Sequence, residues 1–245
     1  MGNISAIDIG SNGVRLFLAK RDKRRGRSAI LKKIRYPHRL GTETFLQGEF
    51  SKETITDTVK LFVQIKRFMR ESDVEVNVAV ATSAFRNSHN GLELVEKIYK
   101  DTGIFINIIG GTLEADLIAE AVKANYSFNN GHNLIVDIGG GSTEVIVFQG
   151  NKKVLSRSCE VGTVRLLNEE TQNPAPAKVL IKNLESWCQQ LLADGGISTL
   201  PVQVFGTGGN VRRMGKLRKN VLKQKNKNII TQNEIAQLYQ LLLPL

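Results

Sequence analysis

Cysteine is scarce in this sequence, and no long apolar run occurs in it. Only two cysteines, Cys159 and Cys188, are found among 245 residues, so neither a disulfide framework nor a cysteine metal site is expected. No apolar run approaches the length of a membrane span, and a strand pattern begins almost at the N-terminus. We therefore expect no membrane helix and no signal peptide, and a reducing cytoplasm is the simplest location.

Acidic residues are few relative to basic ones. The sequence has 34 Lys and Arg residues against 23 Asp and Glu residues, and a formal net charge of +11. Excess positive charge attracts anionic ligands, whether nucleic acid, a phosphorylated nucleotide or an inorganic phosphate chain. Much of the excess lies in residues 20–35 and 212–227, and such charge runs are usually solvated surface. The second cluster has no interleaved aromatics to stack on bases, so nucleic acid is not the expected partner.

The most informative stretch is residues 134–148. An apolar, β-branched run ends at Asp137, three glycines follow at 139–141, and Ser142 leads into a second β-branched run. This pattern predicts a strand, a tight turn and a second strand. A turn without Cβ atoms lets backbone amides approach an anion, and neighbouring hydroxyls add donors. A carboxylate beside such a turn would repel phosphate unless it held a metal ion.

Residues 6–18 repeat this strand–turn–strand pattern. Asp8 and Gly10 match Asp137 and Gly139 in an identical order of strand, aspartate, small-residue turn and strand. Repetition of a whole supersecondary unit indicates two similar domains that face each other. We expect the two aspartates to lie on opposite sides of one cleft. Two ordinary glycine-rich hairpins are the alternative, and the matched aspartates disfavour it.

The remaining pattern alternates helices and strands. Each half begins with three strands and continues with helices and strands, which is the ribonuclease-H-like α/β layout of actin, sugar kinases and heat-shock ATPases. The fold prediction is therefore two such domains, residues 1–124 and 125–245, with a cleft between them. Residues 40–48 are expected to form a loop because Gly and Thr interrupt them. Strands are predicted at 29–35, 74–81, 104–109, 154–159 and 202–205, with helices from Ser51, Asn90, Gly111 and Thr163, after Pro176 and after Gly209.

Five motifs resemble the exopolyphosphatase and guanosine pentaphosphate phosphohydrolase (Ppx/GppA) family, in the same order along the whole chain. Members hydrolyse terminal phosphates of polyphosphate or pppGpp with a divalent metal, in the cleft between two actin-like domains. The resemblance implies that this chain has the same hydrolase activity and uses Mg²⁺ as its cofactor. A homodimer is a further expectation. The motifs are residues 8–12 with Arg15 and Leu16, residues 81–86 with Asn90, Glu114 with Ala115, residues 137–144 and residues 206–209.

The resemblance also implies roles for individual residues. Glu114 matches the family's catalytic glutamate, the base that orients water for attack on phosphorus. Without the family match, the preferred interpretation of Glu114 would be an acid at a helix N-terminus that interacts with the helix dipole. Asp137 and Glu144 match metal-site acids, and Asp8 is the symmetric counterpart that could hold metal-bound water. The implied phosphate-binding residues are Ser11, Asn12, Arg86, Gly139, Gly140, Gly141, Ser142, Gly208 and Gly209.

Four positions depart from the family pattern. Leu113 replaces the first of two paired glutamates, Asp116 replaces an arginine, Gly13 a serine, and Asn210 a threonine. Family members also continue with a further strand and helices, so residues 125–245 are expected to lack the C-terminal part of their domain. Two other functions stay open: an ATP-dependent sugar or acetate kinase of the same fold, and a non-catalytic binder of polyphosphate or nucleic acid.

Overall fold

A computed structural model describes residues 2–22, 27–172, 174–197, 203–226 and 228–242. In these residues two mixed β-sheets carry helices on their faces, as the sequence predicts for an α/β protein. Each sheet opens with an antiparallel three-stranded meander, and each then continues with parallel strands. The predicted division between residues 124 and 125 separates the strands of the two sheets and otherwise remains a prediction.

The first sheet has the order β3-β2-β1-β4-β5. Ile7 and Ile9 of its central strand are buried against a helical layer that includes Phe62, Ile65 and Leu94. Alternation of buried and open positions along that strand explains why only one face joins this core. The elements are β1 (Asn3–Gly10), β2 (Gly13–Asp22), β3 (Arg27–Tyr36), β4 (Val74–Ala81) and β5 (Ile106–Ile108), with helices α2 (Lys52–Glu71) and α4 (Gly91–Thr102).

The second sheet has the order β8-β7-β6-β9 and is covered on both faces. One face packs on Ala115, Ala119 and Val122 of α5, and the other on Leu191 of α7. The strands are β6 (His132–Ile138), β7 (Thr143–Gln149), β8 (Lys152–Cys159) and β9 (Gln203–Thr207), and the helices are α5 (Gly111–Lys123), α6 (Thr163–Gln172) and α7 (Pro174–Asp194). Val202, part of the last predicted strand, lies outside the described residues.

Besides the single-turn helix α3 (Ser83–Arg86), two longer helices differ from the sequence-based expectation. Residues 40–48 do not form a loop: they form α1 (Leu40–Gln47), which ends at Gly48 in the left-handed conformation. Tertiary contacts override the weak propensity, because Leu40 is buried and the Glu43 carboxylate accepts hydrogen bonds from the Ser51 amide and hydroxyl.

The second difference is α9 (Gln232–Leu242), which the sequence pattern did not predict. Its start is a capping box, in which the Thr231 amide donates to Glu234 and the Glu234 amide donates to the Thr231 hydroxyl. The remaining helices are α3 (Ser83–Arg86) and α8 (Gly208–Asn220). In the part of the chain that is described, no helix is both long and apolar enough to cross a membrane.

Candidate active site

The two glycine-rich turns face each other, as the duplicated motif predicts. A Cβ added to Gly140 in the β6–β7 turn would lie 3.1 Å from the Cβ of Ser11 in the β1–β2 turn. The Ser11 hydroxyl is itself 2.9 Å from the hydroxyl of Ser83, at the carboxyl end of β4. Burial is the main cause of the raised pKa of Asp137, and the negative charge of Asp8 adds to it, in keeping with the two aspartates lying near each other. One cleft therefore contains both turns.

Helix α6 fixes the glycine turn from one side. The carbonyl oxygen of Gly139 accepts from the Thr163 amide at 3.1 Å, and that of Gly140 accepts from the Val164 amide at 2.8 Å. A Cβ on Gly162 would lie 2.4 Å from the Gly140 carbonyl oxygen, so only glycine permits this approach. Because the C=O and N–H of a trans peptide point in opposite directions, the amides of Gly140 and Gly141 point away from α6. The turn thus presents donors suited to an anion.

The first domain contacts the turn through α1. A Cβ on Gly141 would lie 2.2 Å from Cζ of Phe45 and 2.5 Å from the Ser83 hydroxyl. Arg165 of α6 joins the same contact: its guanidinium lies 4.4 Å from the centre of the Phe45 ring, donates to the Gly141 carbonyl at 3.3 Å, and donates to the Asn87 side chain at 3.3 Å. Arg165 therefore connects the glycine turn to the first domain, a role that no motif in the sequence indicated.

Asp137 is held by neighbouring strands. It pairs with Glu144 on β7 and with Thr207 on β9, and the Thr207 hydroxyl donates to its carboxylate. Burial raises the pKa of Asp137, and the Thr207 hydrogen bond partly opposes that shift. Asp8, its counterpart in the first domain, forms a 2.5 Å ion pair with Arg15. The two matched aspartates thus have different partners, one a hydroxyl and the other a guanidinium.

Glu144 is fully buried and only partly hydrogen-bonded. Its Oε1 accepts from the Ser158 hydroxyl at 2.8 Å, whereas its buried Oε2 has no hydrogen-bond partner. Burial raises the pKa of this carboxyl, and the nearby Ser142 and Ser158 hydroxyls oppose that effect. A buried carboxylate oxygen without a partner is costly unless a cation or a proton compensates it.

These carboxylates fit a magnesium site of a particular kind. Among the described residues, no group of three His, Cys, Asp or Glu side chains is close enough to hold a metal. Mg²⁺ needs no such group, because it commonly takes one or two carboxylates and completes its shell with water and substrate phosphates. Asp137 and Glu144 are adjacent across the β6–β7 ladder and supply that number of acids. The orphaned Oε2 of Glu144 is compatible with a bound cation.

Glu114 lies in the first turn of α5, beside Arg86. Its Oε2 is 3.5 Å from Nη1 of Arg86, and that nitrogen also donates to the Ile109 carbonyl at 2.7 Å. Burial and the charge of Glu144 raise the pKa of Glu114 to about 7, against a lowering effect of Arg86. The side chain is 16% exposed, so it retains access to water. The predicted base therefore lies close to both metal-site carboxylates.

The other predicted phosphate-binding residues occupy different positions. Ser142 is buried beside Glu144, while Asn12 is exposed and its carbonyl accepts from Arg35 at 2.9 Å. Gly208 begins α8 with φ +88, and a Cβ there would lie 2.6 Å from the Ile138 carbonyl and 3.1 Å from Asp137. A Cβ on Gly209 would contact nothing within 4 Å. Gly208 is thus a position that requires glycine.

Three of the departures from the family pattern have local explanations. Asp116 forms a 2.5 Å ion pair with Lys153, which ties α5 to β8. The Asn210 side chain donates to the Thr163 hydroxyl at 3.0 Å, across the start of α6. A Cβ on Gly13 would lie 2.9 Å from the Tyr36 carbonyl, which leaves little room for a serine. Leu113 is 50% exposed, and nothing in the structure explains its choice.

In this cleft two glycine-rich turns face each other, and a carboxyl group with a raised pKa lies beside them. Such an arrangement is typical of an enzyme that acts on phosphates. Comparison with known proteins identifies the family of this enzyme. A model of the Ppx/GppA phosphatase family matches residues 20–245, and the chain belongs to that family. It is a hydrolase that acts on phosphoanhydrides.

Individual proteins that are similar to this chain also belong to this type of phosphatase. Exopolyphosphatase 1 of Mycobacterium tuberculosis is 25% identical over 242 residues, which is 96% of this chain and 70% of the relative. The guanosine-5'-triphosphate,3'-diphosphate pyrophosphatase of Aliivibrio fischeri is 31% identical over 166 residues, 66% of this chain and 32% of the relative. The crystal structure of the Aquifex aeolicus family member superposes with a TM-score of 0.75 at 26% identity, covering 100% of this chain and 79% of that one. The predicted two-domain actin-like fold is confirmed.

Proposed function

We propose that this chain removes the terminal phosphate from inorganic polyphosphate or from pppGpp, with a divalent cation such as Mg²⁺. The observation that carries the proposal is Glu114: a buried carboxyl with a pKa of about 7, next to Arg86 and within the electrostatic influence of Asp137 and Glu144. A pKa near the working pH is what a general base needs, because the group is then both ionised and able to accept a proton. The names of the two relatives above support these two substrates.

In the proposed reaction, Glu114 orients a water molecule and takes its proton. The water oxygen forms a bond to the terminal phosphorus, the bridging P–O bond breaks, and the shortened chain leaves with the bridging oxygen. Because phosphoryl transfer demands mainly positioning and charge stabilisation, the amides of Gly140 and Gly141 and the Arg86 guanidinium have the chief supporting roles. Ser11, Ser142 and the amides at Gly208 and Gly209 are further candidates to contact phosphate oxygens.

Asp137 and Glu144 would hold the divalent cation, which when bound neutralises charge on phosphate oxygens. Thr207 and Ser158 orient these two carboxylates through their hydrogen bonds. Asp8 is tied to Arg15, so we assign it to the outer part of this site, where it can bind a water molecule. A cytoplasmic location and a homodimer remain predictions.

The test is phosphate release from polyphosphate, pppGpp and ATP in parallel, with and without Mg²⁺. We expect release from at least one of the first two substrates, only with the divalent ion, and little from ATP. Transfer of the ATP phosphate to a sugar or acetate would instead assign the chain to the kinases of this fold. Binding of polyphosphate without any hydrolysis would leave the non-catalytic alternative.

A further inference from the structure

The exposed side of α8 is positively charged, and no acidic residue lies near it in the sequence. No Asp or Glu occurs between Asp194 and Glu234, whereas this segment contains a run of Lys and Arg residues. Arg218 differs from the other cations of this helix because it is nearly buried. It forms a bidentate ion pair with Glu234, in which both N–O distances are 2.8 Å. That arginine joins α8 to α9 and has a structural role.

Three other cations lie on one face of the helix. Arg212, Lys216 and Lys219 are exposed, and their spacing of four and three residues places them in one line along α8. In the described residues none of the three forms an ion pair within 4 Å of an acidic side chain. At a rise of about 1.5 Å per residue the line is about 10 Å long. We call these three residues the α8 basic face.

The α8 basic face begins at the active site. Helix α8 starts at Gly208, where a Cβ would lie 3.1 Å from a carboxylate oxygen of Asp137. Arg212 lies one helical turn after Gly208. The line of cations therefore runs outward from the carboxylates that border the glycine turn.

We propose that the α8 basic face binds the part of a linear polyphosphate chain that extends out of the cleft, and that it makes long polyphosphate a better substrate than short phosphates or pppGpp. This inference rests on the proposed function and adds a second binding region to it. A linear polyanion with a charge on each phosphate matches a line of cations, whereas pppGpp would bring a nucleoside there. Helix α8 has no aromatic residue on which a base could stack, which disfavours RNA as the occupant.

The test uses the double variant Lys216→Gln/Lys219→Gln. Its matched control is Lys66→Gln/Arg70→Gln, which removes two exposed charges at similar spacing from α2, on the first domain. The measured quantity is kcat/KM for long-chain polyphosphate divided by kcat/KM for tripolyphosphate. Two exposed ion contacts predict a fall of about two- to thirtyfold in this ratio for the α8 variant, and none for the control.

Equilibrium binding of long-chain polyphosphate without Mg²⁺ tests the α8 basic face apart from catalysis. We expect the α8 variant to bind more weakly than the control, with a shallower dependence on salt concentration because fewer counterions are displaced. If the protein hydrolyses no phosphate substrate, the proposed function is refuted. The binding measurement would still show whether the α8 basic face binds polyphosphate. Equal losses in both variants would overturn this inference, as would single-stranded RNA that binds the face more tightly than polyphosphate of equal charge.

Discussion

The guanidinium of Arg165 stacks 4.4 Å from the centre of the Phe45 ring, so a cation of the second domain rests on an aromatic side chain of the first. The same arginine donates to the carbonyl of Gly141. The position of the glycine turn is consequently tied to the way the two domains meet. In the proposed mechanism, the turn that binds phosphate and the contact between the domains therefore depend on the same side chain.

Arg165→Lys tests this connection. Lysine keeps the charge but loses the planar group that stacks on Phe45 and reaches two acceptors at once. A weaker contact with the Phe45 ring predicts a fall in kcat/KM of up to about thirtyfold, with a smaller change in thermal stability. Steady-state kinetics and thermal melts measure both quantities. Arg67→Lys, on the exposed face of α2, is the control, and equal kinetics in the two variants would contradict the role of Arg165.

Glu114→Gln removes the proposed base while it preserves size and hydrogen-bonding reach. We expect kcat to fall about 10²- to 10⁴-fold, the usual contribution of a general base, while affinity for the phosphate chain changes little. Leu113 leaves no carboxylate at the preceding position in the sequence to take over. Single-turnover rates and equilibrium binding separate the two effects. A glutamine variant with near-normal kcat would remove Glu114 from the mechanism.

The same substitution has an effect on stability that depends on pH. The pKa of Glu114 rises from its ordinary 4.5 to about 7 in the folded protein, so between these pH values the folded state binds more protons there than the unfolded chain. The free energy of unfolding therefore decreases as pH rises through this range. Glu114→Gln should be more stable than the wild type at pH 8, by up to ~3 kcal/mol, and similar to it near pH 4. Denaturant melts at both pH values measure the difference, and a variant less stable at pH 8 would indicate a helix-capping role.

Asp137→Asn should weaken the use of metal more than the binding of phosphate. Asparagine retains one oxygen for the Thr207 hydroxyl but lacks the negative charge that a divalent cation requires. We expect the Mg²⁺ concentration for half-maximal activity to rise at least about tenfold. Activity after chelation and stepwise return of Mg²⁺ provides the measurement, with Asp57→Asn on the surface of α2 as control. Reduced turnover at an unchanged Mg²⁺ requirement would count against the metal assignment.

Gly208 and Gly209 are adjacent, yet they should respond oppositely to alanine. Gly208 has φ +88, and an added Cβ would lie 2.6 Å from the Ile138 carbonyl, whereas a Cβ on Gly209 meets nothing. Gly208→Ala should cost at least 1–2 kcal/mol of folding free energy, because the left-handed conformation alone costs that amount. Gly209→Ala should leave stability equal or slightly higher, since alanine is favoured within helices. Chemical denaturation tests the pair, and equal destabilisation would refute the geometric argument.

The duplicated turns and their aspartates could be predicted from sequence because a strand, a short turn and a strand are encoded locally. Asp8 and Asp137 occur at equivalent positions in the two sheets, and the strand order follows the predicted meander. Glu114 was identified through the family motif, and its raised pKa depends on burial that no local pattern reveals.

Two of the missed features, helix α1 and the role of Arg165, depend on contacts with residues outside their own elements. Helix α1 forms although its residues favour a loop, because the Glu43 carboxylate accepts from Ser51 and Thr54 in the next helix. Arg165 has no motif of its own, and its role appears only when α6 meets α1. Helix α9 could have been predicted, since Thr231 and Glu234 have the spacing of a capping box.

Helix α5 follows the last strand of the first sheet, but its buried face packs on the second sheet. Glu114 is therefore carried by a helix that packs on the second sheet, whereas Arg86 is the last residue of α3, which packs with the first sheet. The 3.5 Å contact between their side chains therefore joins elements that pack on different sheets. A rotation of one sheet relative to the other would change this distance, so in the proposed mechanism the contact between the base and its arginine depends on how the two sheets meet.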